Sequence, residues 1–175
     1  MRNTIINRRF KYTDVNATAI LIIINVIVFI LQNIFAKLPY ILSMVPIYIR
    51  LRHWYWQFFT YMFSHVDFWH LFSNMLGLYI FGRIVERSVG SREFLLYYLL
   101  TGTLAGFASY FFYLYSGSLF TVVLGASGAL YAIMLLFSVL FPNAVVYVFG
   151  IIPMRAPILV IIYFFIDFFG QFRAD

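Results

Sequence analysis

The sequence predicts an all-α, polytopic membrane helix bundle, and three observations predict it. Of its 175 residues, 64% are hydrophobic and only 10% are charged, and the mean hydropathy is +0.92. One soluble core of this size cannot hide so much apolar surface, which excludes a soluble globular enzyme and, equally, a disordered chain. The apolar residues also fall into five continuous runs of roughly 13–23 residues, the lengths helices need to cross hydrocarbon, whereas a membrane β-barrel would show alternating segments of about ten. Finally, the 12 Lys and Arg lie scattered between these runs. They form no basic stripe of the kind that neutralises phosphates, so the net charge of +6 reads as topology-setting charge at membrane borders and no nucleic-acid partner is expected. The absence of Cys excludes disulfides, thiolate catalysis and Cys-ligated metal.

Residues 1–16 form a polar, basic tail with Arg2, Arg8, Arg9 and Lys11, and the membrane domain occupies residues 17–175. Ala17 to Phe35 is long for a signal-peptide core and no small-x-small cleavage site follows, so it reads as a retained first span. Residues 37–64 are mixed, with Pro39, Pro46 and the aromatic cluster Trp54-Tyr55-Trp56, and are expected in the outer headgroup region. A second span is expected over Phe68 to Val85, then a tight polar turn through residues 83–93. A third span covers Phe94 to Tyr115 and carries Gly102-x-x-x-Gly106, a small-residue face for close contact. Leu119 to Phe141 is apolar but interrupted by Gly125-Ala126-Ser127-Gly128. Ala144 to Ala156, with Pro153, reads as an extended or hairpin-like interfacial loop, and Ile158 to about Phe169 as the fifth span. Eight of the twelve Lys and Arg fall on the side of the N-terminus, which predicts a cytoplasmic N-terminus.

Polar residues inside apolar runs are the informative ones in such a chain. His70 and Asn74 stand four apart and share a helix face, with His65 in the preceding loop. They are either hydrogen-bond donors aimed into the bundle or interhelical polar glue. Gly125-Ala126-Ser127-Gly128 either presents a serine hydroxyl with room beside it or packs helices closely. A helix from Ser127 to Phe141 rises about 22 Å against a hydrocarbon core of ~30 Å, so its serine end would sit below the outer surface. Irregular backbone at that depth needs protein or a wet cavity around it. Glu86 reads as structural, satisfied by Arg83 or Arg87.

These residues resemble the rhomboid family of intramembrane serine proteases. The matching pieces are Trp56-Gln57-Phe58-Phe59-Thr60, Phe63 through Asn74, Glu86-Arg87-Ser88-Val89-Gly90-Ser91, Gly125 through Tyr131, and Ile152-Pro153-Met154-Arg155-Ala156. The resemblance covers roughly residues 50–170. It implies a six-helix core with a Ser-His dyad and no metal or cofactor. Ser127 would be the nucleophile. His70 and Asn74, with the Ser127 backbone N–H, would stabilise the oxyanion. Tyr131 would stack under the base histidine, His65, Trp56 and Glu86 would be scaffold for the outer loop and the span junction, and Gly125 and Gly128 would be structural near the site. Substrates would be transmembrane segments of other membrane proteins, cut within the bilayer, here expected to be the plasma membrane.

Two departures follow from the same alignment of motifs. The family's Trp-Arg pair reads Trp56-Gln57 here, and its dyad histidine, about fifty residues beyond the serine, has no counterpart. The histidines are His53, His65 and His70, all before Ser127. The expectation is therefore five spans of an expected six, a chain truncated at its C-terminus, and no activity for want of a general base. The competing expectation is a non-catalytic module that holds membrane spans. A transporter is weaker, since Asp167 alone places an ionisable group in a span core.

Overall fold

The computed structural model describes residues 15–148, 152–155, 157–162 and 165. Helix α1 (Ala17–Ile34) starts at Asn16, whose side-chain oxygen accepts from the Ala19 N–H at 3.3 Å. Its outer face is a row of Ile side chains, with Ile23, Ile27, Ile30 and Ile34 all exposed. An uncovered apolar face of this length is what lipid solvates. Both α1 and α7 (Ser91–Tyr115) are long and apolar enough to cross a bilayer.

Between α1 and the second span the chain folds into three short helices, α2 (Leu38–Leu42), α3 (Pro46–Arg52) and α4 (Gln57–Thr60), closed by a 3-10 turn at Tyr61–Phe63. Proline sits in the first turn of α2 and of α3, where no N–H is missed. The side chain of Gln57, fully buried, knits these pieces together: it accepts from the Val45 N–H and donates to the carbonyls of Tyr40 and Ile41. Trp56 Nε1–H also donates to the Ile41 carbonyl. Gln57 thus organises the loop by neutral hydrogen bonds at the position where the resemblance expects arginine.

Helix α5 (Phe68–Gly77) runs through a π turn at Leu78–Gly82 directly into α6 (Arg83–Val89). The polar turn expected over residues 83–93 is therefore not a loop. The only break is Gly90, at φ +101°, after which α7 begins. The reason lies in Glu86, whose charge is absorbed inside the bundle. It accepts hydrogen bonds from the Ala17 and Thr18 N–H groups, from the Thr18 hydroxyl and from Ser91 Oγ. The expected pairing of Glu86 with Arg83 or Arg87 is corrected accordingly: the start of α1 takes that role, and Arg83 turns to Tyr79 Oη at 3.3 Å. The orphan N–H groups of a helix start favour a carboxylate partner.

Helix α8 (Ser127–Leu140) packs against α7 and the α5–α6 rod. Phe94, Tyr98, Leu130 and Ile133, all fully or almost fully buried, fill the space between them with Leu21 and Leu78. Beyond α8 two strands, β1 (Val145–Val148) and β2 (Ile152–Arg155), form an antiparallel hairpin in which Tyr147 opposes Pro153. Residues 157–162 are helical. The tail over residues 1–14, the rest of the fifth span and Asp167 lie outside the described residues.

Candidate active site

The site is built where the first turns of α5 and α8 meet. Asp67 caps α5 by accepting from the His70 N–H at 2.7 Å, which fixes His70 in the first turn. His70, Asn74 and Gly77 then recur at i, i+4 and i+7 on one face. Both ends of that face touch the α8 segment. A Cβ on Gly125 would lie 2.7 Å from Cε1 and Nε2 of His70, and one on Gly77 would lie 2.8 Å from Leu130 Cδ2. Asn74, between the two contacts, is 2% exposed. The face carrying His70 and Asn74 is thus turned toward the head of α8, whose first residue is Ser127.

The segment leading to Ser127 is not helical and is held by backbone bonds to the first loop. Met44 and Val123 exchange both N–H···O bonds, at 2.9 and 2.8 Å, and the Gly125 N–H donates to the Tyr61 carbonyl at 3.0 Å. Gly125 takes φ +112°, a conformation that, with the His70 ring against it, leaves glycine as the residue that fits. Tyr61 Oη in turn donates to the Gly102 carbonyl of α7 at 2.7 Å. A Cβ on Gly128 would lie 2.8 Å from the Ala105 Cβ and 3.2 Å from Tyr61 Oη, so Gly128 lets α7 and α8 close. Ser127 itself is half-buried. Its backbone N–H belongs to the first turn of α8, whose donors have no intrahelical acceptor. Asn74 donates one N–H to the His70 carbonyl at 2.8 Å and keeps its second.

His65 is 3% exposed and its ring meets that of His70 edge-on, with centroids 5.1 Å apart. Burial, reinforced by the neighbouring His70, lowers its imidazole to about 4, so it is neutral at pH 7. Its backbone N–H donates to Gln32 Oε1, and Gln32 Nε2 donates to Ser64 Oγ. Gln32, buried near the end of α1, was not singled out in the sequence, where it reads as the ragged edge of an apolar run. Tyr131, one turn beyond Ser127, lines an apolar cavity of about 310 Å³ with Leu135, Val160 and Phe165. Trp56 and Glu86 stand apart from this site, in the first loop and at the far end of the α5–α6 rod. Among the described residues no group of three or more His, Cys, Asp or Glu could hold a metal ion.

Fold and site together define a polytopic helical membrane protein with a half-buried serine in the first turn of a short helix that packs on the helix face carrying His70 and Asn74. A family model described as the Rhomboid domain matches residues 52–174. The chain belongs to the rhomboid family. It is 39% identical over 116 residues to RHOMBOID-like protein 12, mitochondrial, of Arabidopsis thaliana, covering 57% of this chain and 34% of that protein. It is 30% identical over 115 residues to the Rhomboid protease GlpG of Klebsiella pneumoniae, covering 65% and 40%. It is 38% identical over 89 residues to Rhomboid protein 1, mitochondrial, of Saccharomyces cerevisiae, covering 50% and 25%. The chain therefore spans well under half the length of these relatives. Since they include mitochondrial and bacterial proteins, the similarity fixes a membrane location without fixing which membrane.

Proposed function

We propose that this chain carries the nucleophile and the oxyanion donors of an intramembrane serine endopeptidase acting on transmembrane segments of other membrane proteins. The observation that carries the reading is the seating of Gly125 on the His70 ring, two residues before Ser127. In this reading Ser127 Oγ attacks the scissile carbonyl. The oxyanion is met by the Ser127 N–H, the second Asn74 N–H and a His70 ring N–H. Fixed donors of this kind are worth about 10²–10³ each in rate. Tyr131 would support the ring of a base. A Lys and Arg bias toward the N-terminal side supports a cytoplasmic N-terminus.

The base is not among these 175 residues. His53, His65 and His70 all precede Ser127, and His70 is engaged at Gly125. A serine hydroxyl without a base loses about 10²–10⁴ in rate, and up to ~10⁶ where the group acts as a unit. By themselves these residues are therefore proposed not to turn over substrate. The same lack of a base favours a second reading, a non-catalytic protein that holds membrane spans; co-purification of an uncut span would support it.

The test is fluorophosphonate labelling of the purified chain in detergent, with and without added imidazole as an external base. The proposal expects little labelling alone and imidazole-dependent labelling that vanishes in Ser127→Ala. Fast labelling without imidazole contradicts the missing base. No labelling at any imidazole concentration contradicts the nucleophile and leaves the span-holding reading.

A further inference from the structure

A second concave site lies at the other end of the bundle, where the start of α1 meets the π turn. It is a cavity of about 240 Å³, and its lining divides by chemistry. The polar side chains of Asn16, Tyr79 and Arg83 share the lining with the apolar side chains of Ile22 and Ile23. Asn16 marks the membrane border, because α1 begins here and Thr18 is hydrogen-bonded to Glu86. Ile23 is six residues further along α1, roughly 9 Å deeper into the bilayer.

Among the described residues no carboxylate pairs with Arg83. Glu86, three residues on, is occupied by Ala17, Thr18 and Ser91. Asp67 caps α5 at the opposite end of the rod, and Glu93 lies in the first turn of α7. Arg83 is held instead by Tyr79, through its hydroxyl at 3.3 Å and its ring at 5.8 Å. The π turn joins these two residues to the same wall. Asn16 uses its side-chain oxygen on Ala19, which leaves its amide as a donor. A planar guanidinium held over an apolar slot matches a ligand with an anionic oxygen cluster at one end and hydrocarbon at the other.

We propose that this groove binds one anionic glycerophospholipid from the leaflet at which α1 begins. Its phosphodiester sits on Arg83, with Asn16 as second donor, and an acyl chain lies along Ile22 and Ile23. The site is independent of the serine site and needs no catalysis to be seen.

Native mass spectrometry of the full chain, released from detergent containing dioleoyl phosphatidylglycerol or dioleoyl phosphatidylcholine, tests it. Wild type should retain one phosphatidylglycerol in preference to phosphatidylcholine, and Arg87→Gln, which removes an equal charge one turn away, should do the same. Arg83→Gln should lower occupancy about tenfold. Ile22→Trp, which fills the slot without touching charge, should lower it as well. Millimolar inorganic phosphate should displace nothing. Equal loss in Arg83→Gln and Arg87→Gln means a diffuse field and overturns the site. Displacement by phosphate, equal retention of phosphatidylcholine, or no effect of Ile22→Trp overturns it too.

Discussion

The backbone of Gly125 rests directly on the ring of His70: a Cβ at Gly125 would come within 2.7 Å of Cε1 and Nε2. That contact ties the unwound segment before Ser127 to the helix that carries Asn74, and it makes the position of the hydroxyl depend on the absence of one methyl group.

Gly125→Ala should therefore damage the site in two ways. It strains a backbone at φ +112° by about 1–2 kcal/mol, and it pushes the imidazole away. Misplacement by about an ångström costs roughly 100-fold, so imidazole-supported phosphonylation of Ser127 should fall by about that factor. Gly117→Ala is the control, since Gly117 also has positive φ but meets nothing within 4 Å. It should leave the rate unchanged.

Glu86 holds the starts of α1 and α7 to the end of the α5–α6 rod through four donors, three from α1 and one from Ser91. Burial pushes its carboxyl upward, but the hydrogen bonds from Ser91, Thr18 and Ala17 outweigh that and hold it below 4.5. A lowered carboxyl contributes stability that is present above the unfolded value and lost as pH falls through the folded one. Unfolding in detergent should thus show a loss of stability below about pH 4.5 that Glu86→Ala lacks. At pH 7 the variant should lose about 3 kcal/mol, because buried donors are left without their acceptor.

His65 sets a separate pH window. Its imidazole titrates at about 4 when folded against 6.5 otherwise. The unfolded chain then binds the proton first, so stability is complete above about pH 6.5 and declines as pH falls toward 4. His65→Phe should flatten the stability profile between pH 6.5 and 4.5, measured by thermal unfolding at fixed detergent.

Gln57 has its own signature. Gln57→Leu keeps the volume but strands the Val45 N–H and the Tyr40 carbonyl, and leaves the Ile41 carbonyl to Trp56 alone. A loss of about 2–3 kcal/mol is expected, with a change in emission from the adjacent Trp56, whose indole N–H shares the Ile41 carbonyl.

Much of this was legible because a bilayer imposes simple rules. Continuous apolar runs marked α1 and α7, and the small-residue motif placed the start of α8 at Ser127. The four-residue spacing of His70 and Asn74 put them on one face, and the structure shows that face against α8. What the sequence could not show were pairings without local spacing. Arg83 and Arg87 stand beside Glu86 in sequence, yet its partners come from residues 17 and 18 and from Ser91. Gln32 meets Ser64 and His65 across more than thirty positions. The polar residues 83–93 read as a tight turn because the helix start that absorbs the Glu86 charge lies almost seventy positions away in sequence. The first loop's short helices were hidden because their order comes from one buried glutamine rather than from periodicity.

The central claim is that the side chain of Ser127 faces that of Asn74. The chain contains no cysteine, so paired substitutions report without background. The direct measurement is cross-linking of the double variant Asn74→Cys/Ser127→Cys by a short bifunctional maleimide. Leu76→Cys/Ser127→Cys serves as reference, because Leu76 is exposed on another face of α5. The account predicts rapid intramolecular cross-linking of 74 to 127 and little of 76 to 127. Equal or inverted efficiencies would contradict it.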